Sequence, residues 1–131
     1  MVTVAIIGIF ILSIIDTTVA GRYDTSSYPL YDSVWDAKEG YTGIYNDGKI
    51  EITDSSQKIV LQLESAQLQK LEFHKGVSVF KEEEKYGLID INGKVVIPFI
   101  YDSLKKISYT EFYLAENNGK QGVINSKGEI I

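Results

Sequence analysis

His74 is the only histidine in a chain of 131 residues that has no cysteine. Those two facts narrow the chemistry at once. Without thiolates there are no disulfides, iron–sulfur clusters or thiol nucleophiles, and a metal at His74 would need carboxylates at ligand spacing, which do not recur around it. A Ser-His-Asp arrangement would have to pass through His74, and no nucleophile elbow lies in the sequence. We therefore expect no catalytic residue, no metal and no cofactor, with His74 facing solvent on a strand. A pocket of convergent polar groups around His74 would defeat the non-catalytic reading.

The acids have ordinary explanations. Asp90-Ile91-Asn92-Gly93 starts like a calcium loop, but the twelfth position is Tyr101, where a bidentate Glu is required, so turn chemistry is expected. Asp32 and Asp102 each follow a Tyr at equivalent places and suit Asx-turns better than a catalytic pair. Glu82-Glu83-Glu84, between Lys81 and Lys85, reads as a solvated loop.

The aromatics offer more. With nine Tyr, five Phe and one Trp, the chain holds amphipathic rings of the kind favoured at interfaces and as stacking platforms. Trp35, Tyr45, Tyr86 and Tyr113 are the candidate ligand contacts, with core packing as the competing role for each. Tyr113 alternates with Phe112 and Leu114, taken as core residues, and is expected to face outward.

What must position these side chains is a repeat. KYGLIDINGKVV, from Lys85, aligns with KQGVINSKGEII, from Lys120, with four identities and four close replacements in twelve pairs. A third copy starts at Lys49, thirty-six residues before Lys85, and keeps Asp54, Lys58 and Val60. Tyr31-Asp32-Ser33 and Tyr101-Asp102-Ser103 support the register; in the middle copy the triplet has decayed to Ser65-Ala66-Gln67. Each copy predicts three short antiparallel strands in a meander. The turns fall at Asp47-Gly48 or Asn118-Gly119 and then at Asn92-Gly93. Pro98 should close its strand or lie at an edge. Leu61 to Lys75 has helical propensity, but the repeat register favours a turn and a strand ending near Phe73. The fold class is all-β: about three repeats, motif starts near 49, 85 and 120, stacked or curled round a common core over 31–131. The last copy stops within its third strand, leaving either an open edge or one closed by a segment such as Tyr23 to Tyr31.

Lys-Tyr-Gly-Leu-Ile-Asp-Ile-Asn-Gly-Lys-Val-Val-Ile-Pro followed by Tyr-Asp resembles the WG (KWG) repeat found mainly in bacterial proteins. Where that family usually carries Trp before the motif Gly, this chain has Tyr86, Gln121 and, in the first copy, Ile50. The resemblance implies a β-rich repeat and supplies no catalytic residues.

At the amino terminus, Val2 to Ile15 is an aliphatic run of about 14 residues, followed by Asp16 and the small-residue segment Thr17 to Gly21. Residues 1–20 read as a secretory signal peptide, or as a hydrophobic anchor if retained, since a spanning helix needs roughly 20 residues. No basic residue precedes the run. Residues 21–30 read as a linker. The expected location is secreted or at the cell envelope. A net charge of -5 argues against nucleic acid. The expected partner is a protein or a glycan, with membrane contact only through an uncleaved N-terminal segment and edge-to-edge self-association as a further route. The expected function is a non-catalytic exported binding module, or alternatively a structural accessory of the envelope.

Overall fold

Val-, Ile- and Tyr-rich segments broken by Gly, Asn and Asp build ten strands and, among the described residues, no helix. The structure is a computed structural model that describes residues 30–131. The expected signal or anchor, the linker up to residue 29 and the proposed closing segment from Tyr23 lie outside those residues.

The strands are β1 (Ser33–Lys38), β2 (Tyr41–Asn46), β3 (Lys49–Thr53), β4 (Ile59–Glu64), β5 (Val77–Glu82), β6 (Lys85–Asp90), β7 (Val95–Tyr101), β8 (Ser103–Lys106), β9 (Tyr113–Asn117) and β10 (Lys120–Ile124). They form three antiparallel meanders, β1-β2-β3-β4, β5-β6-β7 and β8-β9-β10. The first unit thus has four strands where three were expected, because the segment after Tyr31-Asp32 is itself a strand. In the last unit the final strand shrinks to an isolated bridge between Ile124 and Ile130.

In the middle unit the segment leading into β5 is neither the expected strand nor a helix. Its place beside β5 is taken by a side chain: the Gln69 amide donates to Lys81 O (2.9 Å) and accepts from Lys81 N–H (2.8 Å), copying a backbone pair. From β5 itself, the buried Ser78 hydroxyl accepts from Glu72 N–H of this segment at 3.1 Å. The other side of this segment seals the edge of β1, where Phe73 N–H donates to Ala37 O (2.8 Å) and Trp35 Nε1 donates to Leu71 O (2.9 Å).

The sheets stack, and they enclose two cores rather than one common core. Ile50, Ile52 and Leu61 of the first sheet pack with Leu71, Phe73, Phe80 and Ile89. Leu88 and Ile97 of the second pack with Leu104, Tyr113, Ala115 and Ile124 of the third. Neighbours on a strand point to opposite faces, so Leu88 and Ile89 of β6 serve one core each, and the middle sheet is buried on both sides. The docking of one unit on the next repeats: the turn at Gly93 meets Leu61 of the preceding unit, and the turn at Gly128 meets Ile97.

Pro98 lies on an edge strand, as expected, but does not end it. Three residues of β7 are accommodated as a bulge between the pairs Leu88–Ile97 and Tyr86–Tyr101, and the strand runs on to Tyr101. The bulge swings Phe99 into edge contact with Phe80, ring centroids 6.2 Å apart, and so joins the middle sheet to the first core.

Candidate functional site

Stacking brings equivalent turns of the three units together along one rim. Glu39 lies in the turn between β1 and β2, Lys75 in the turn before β5, and Glu111 in the loop before β9, each 36 residues from the next. Glu39 and Lys75 hold left-handed backbone (φ 55° and 53°), each followed by a glycine, which turns the N–H groups of Lys75 and Gly76 outward. Both are donated to the Glu39 carboxylate, at 2.5 and 2.9 Å. Lys75 Nζ pairs in turn with Glu111. Lys106 Nζ donates to the carbonyls of Ile107 (3.3 Å) and Thr110.

These groups line a cavity of about 200 Å³ completed by His74, Tyr113 and Ser126. A polar pocket around His74 is therefore present, which is the condition set above as defeating a non-catalytic reading. Its charged members, however, are held in the contacts that join one turn to the next. His74 is half-buried rather than solvent-facing.

Tyr113 is the correction among the aromatic candidates. It points inward, 2% exposed, while Phe112 and Leu114 are each 36% exposed. Because β9 belongs to an end sheet, its outer face keeps apolar residues, and alternation alone assigned the core to the wrong face. Burial first, and the Glu39 carboxylate second, push the Tyr113 phenol up, so it stays protonated and able to donate.

The other three are spread over both cores and share no platform with it. Trp35 packs on the first core, its ring so close over Gly43 that a Cβ there would lie 2.2 Å away. Tyr45 packs on the same core, and its hydroxyl donates to Ser65 O (3.0 Å) and Ala66 O (3.1 Å). Tyr86 packs on the second core with Lys81 Nζ 5.5 Å from its ring centroid. Of the four, only Tyr113 reaches the cavity.

The acids act in turns, in two ways. Asp54, Asp90 and Asn125, at equivalent positions, each accept with one side-chain oxygen from the N–H groups two and four residues on. Asp32 and Asp102 do not cap their own turns; they reach across to the tips of hairpins, accepting from Asp47 N–H (3.2 Å) and Asn118 N–H (2.9 Å). The side-chain hydrogen bond from Lys85, then that from Asn118 N–H, hold the Asp102 carboxyl below its usual range. Among the described residues no group of three His, Asp or Glu side chains is placed to hold a metal.

Sequence reasoning missed the rim itself. The step from Glu39 to Lys75 was available from the repeat register, which then points to Thr110 and not to its neighbour Glu111, and nothing in a periodicity reading marks Tyr109, a fully exposed ring at φ 63° on the loop that lines the cavity.

Residues 86–120 match the model of a family described as WG containing repeat. The match covers one period, from β6 to the start of β10, and so crosses from the middle sheet into the last. No curated protein matches the chain.

Proposed function

With a WG-type repeat in the chain as the premise, we propose that this protein is a non-catalytic β-repeat module, exported from the cytoplasm, that works by binding a protein or a glycan. The observation that carries the reading is the rim: three stacked units present equivalent turns, through Glu39, Lys75 and Glu111, around one cavity. Repeats that align equivalent loops on one side form extended recognition surfaces.

A non-catalytic role is supported by how the charged groups of the rim are used. The Glu39 carboxylate is occupied by two backbone N–H groups, and Lys75 and Glu111 pair with each other. A general acid or base must be free to exchange a proton with a substrate within hydrogen-bond reach, which these charged groups are not; His74 is the one lining group outside that argument, and the turnover test below addresses it. Export rests on the aliphatic run Val2 to Ile15 and the small residues after it.

Glycan arrays and pull-downs from envelope extracts, both with the full chain as bait, test binding. Saturable capture of a defined ligand is expected, and turnover of such a ligand would sink the non-catalytic claim. The mass of the native mature protein tests export, with loss of about the first 20 residues expected.

One observation favours the accessory reading as the alternative. The outer edge of β10 pairs with no described residue beyond the bridge to Ile130 and the Ile131 N–H to Val123 O bond, and Lys120, Gln121 and Gly122 are exposed. An unpaired edge is a template for another strand, and concentration-dependent association in sedimentation would support it.

A further inference from the structure

We propose that the cavity beneath the rim is a sugar-binding site that receives a single neutral, hydroxyl-rich ring, with Tyr113 donating from its floor. This names the ligand class for the binding function proposed above and rests on it.

Charge favours a neutral ligand. The cavity holds two carboxylates and two ammonium groups, and each is already engaged: Glu39 by backbone N–H groups, Glu111 by Lys75, and Lys106 by two carbonyls. No unbalanced charge is left to draw an ionic ligand into the site, and displacing any of these contacts would loosen the turns that join the units.

The groups left over are neutral or weakly polar. Thr110 is committed, donating to Ile107 O (2.8 Å) and accepting from Phe112 N–H (3.1 Å). That leaves the side chains of His74, Tyr113 and Ser126. Tyr113 is almost wholly buried, yet no buried side-chain oxygen or nitrogen among the described residues lacks a partner. Its hydroxyl makes no hydrogen bond to another described residue, and Tyr113 lines the cavity. Hydroxyls and an imidazole can both donate and accept, which matches the alternating donors and acceptors of a sugar.

Size and surroundings agree. About 200 Å³ is below the roughly 300–1,000 Å³ typical of drug-sized ligands, and suits one ring rather than an extended chain. Tyr109 does not line the cavity, but it is fully exposed one residue before Thr110, which does, and an exposed aromatic ring on that loop is the kind of face on which sugars stack.

His74 makes the test clean, because the only imidazole signals in the spectrum of the full chain come from the cavity. Titration with neutral methyl glycosides, and in parallel with uronic acids and amino sugars, should shift the His74 ring resonances saturably for at least one neutral sugar. Tyr113→Phe, which removes only the hydroxyl, should weaken that sugar about five-fold or more. Ser126→Ala, at an exposed lining position, should weaken it without touching the core. Binding that leaves His74 unmoved and is indifferent to both variants would place the sugar elsewhere and overturn the cavity site while leaving the binding function standing. A response to charged sugars alone would overturn the ligand class. Silence from every sugar at tens of millimolar would remove the site; the binding function would fall only if the arrays and pull-downs were also empty.

Discussion

At the residue scale the two motif glycines, aligned in sequence, have different work to do. A Cβ at Gly87 would lie 2.4 Å from Ile97 O and 2.8 Å from Pro98 O, both backbone atoms that the β7 bulge pushes across β6. At Gly122 a Cβ would meet nothing within 4 Å, and none of the described strands lies beyond β10. Gly87→Ala should therefore cost about 1–3 kcal/mol, as other forced overpacking does, while Gly122→Ala should stay within about 0.5 kcal/mol of wild type. Urea midpoints of the two variants compare them directly. Asp102 gives a pH test. Its folded pKa is depressed by Lys85 and then by Asn118 N–H, so its contribution is full above the ordinary carboxylate range, about pH 4, and is lost as pH falls through the lower folded value. Asp102→Asn should be less stable than wild type at pH 6, and the gap should close toward pH 2 in thermal melts.

At the element scale, three hairpins use the same backbone with unequal residues. The β2–β3 and β9–β10 turns place Asp47-Gly48 and Asn118-Gly119 at positive φ, which such residues tolerate, but the β5–β6 turn holds Glu83 and Glu84 at φ 50° and 72°. Left-handed backbone costs an ordinary L-residue roughly 1–2 kcal/mol, and tight two-residue hairpins prefer Asn-Gly. Replacing Glu83-Glu84 by Asn-Gly should stabilise the protein by about 1 kcal/mol, raising Tm by about 4–8 °C, whereas Asp47→Glu should destabilise. The turn was legible from the register despite its composition, since Glu82-Glu83-Glu84 aligns with the other two turns. The segment before β5 was not. The Gln69 amide standing in for a strand leaves no period-two trace, because one side chain rather than a run of backbone satisfies Lys81.

At the scale of the whole molecule, β6 couples everything, with Ile89 in the first core and Leu88 in the second. Trp35, on the first core only, should unfold with the whole: its fluorescence and the far-UV dichroism should give coincident denaturation curves. An earlier Trp35 transition would show the first unit to be independent. Leu88→Ala should lower both curves together, by about 2–5 kcal/mol. The amino-acid sequence by itself determined the repeat, its 35- or 36-residue step, the all-β class and most turns, because these depend on local propensity and on residues that tolerate positive φ. Which face of each strand is buried was decided only by stacking. In the middle sheet both faces are covered, and in the last the outer face stays apolar, so alternation could not tell that Tyr113 points in. The cavity, too, exists only in three dimensions. Glu39, His74, Lys75 and Tyr113 come from three units, and no local pattern in any one of them records that their turns meet.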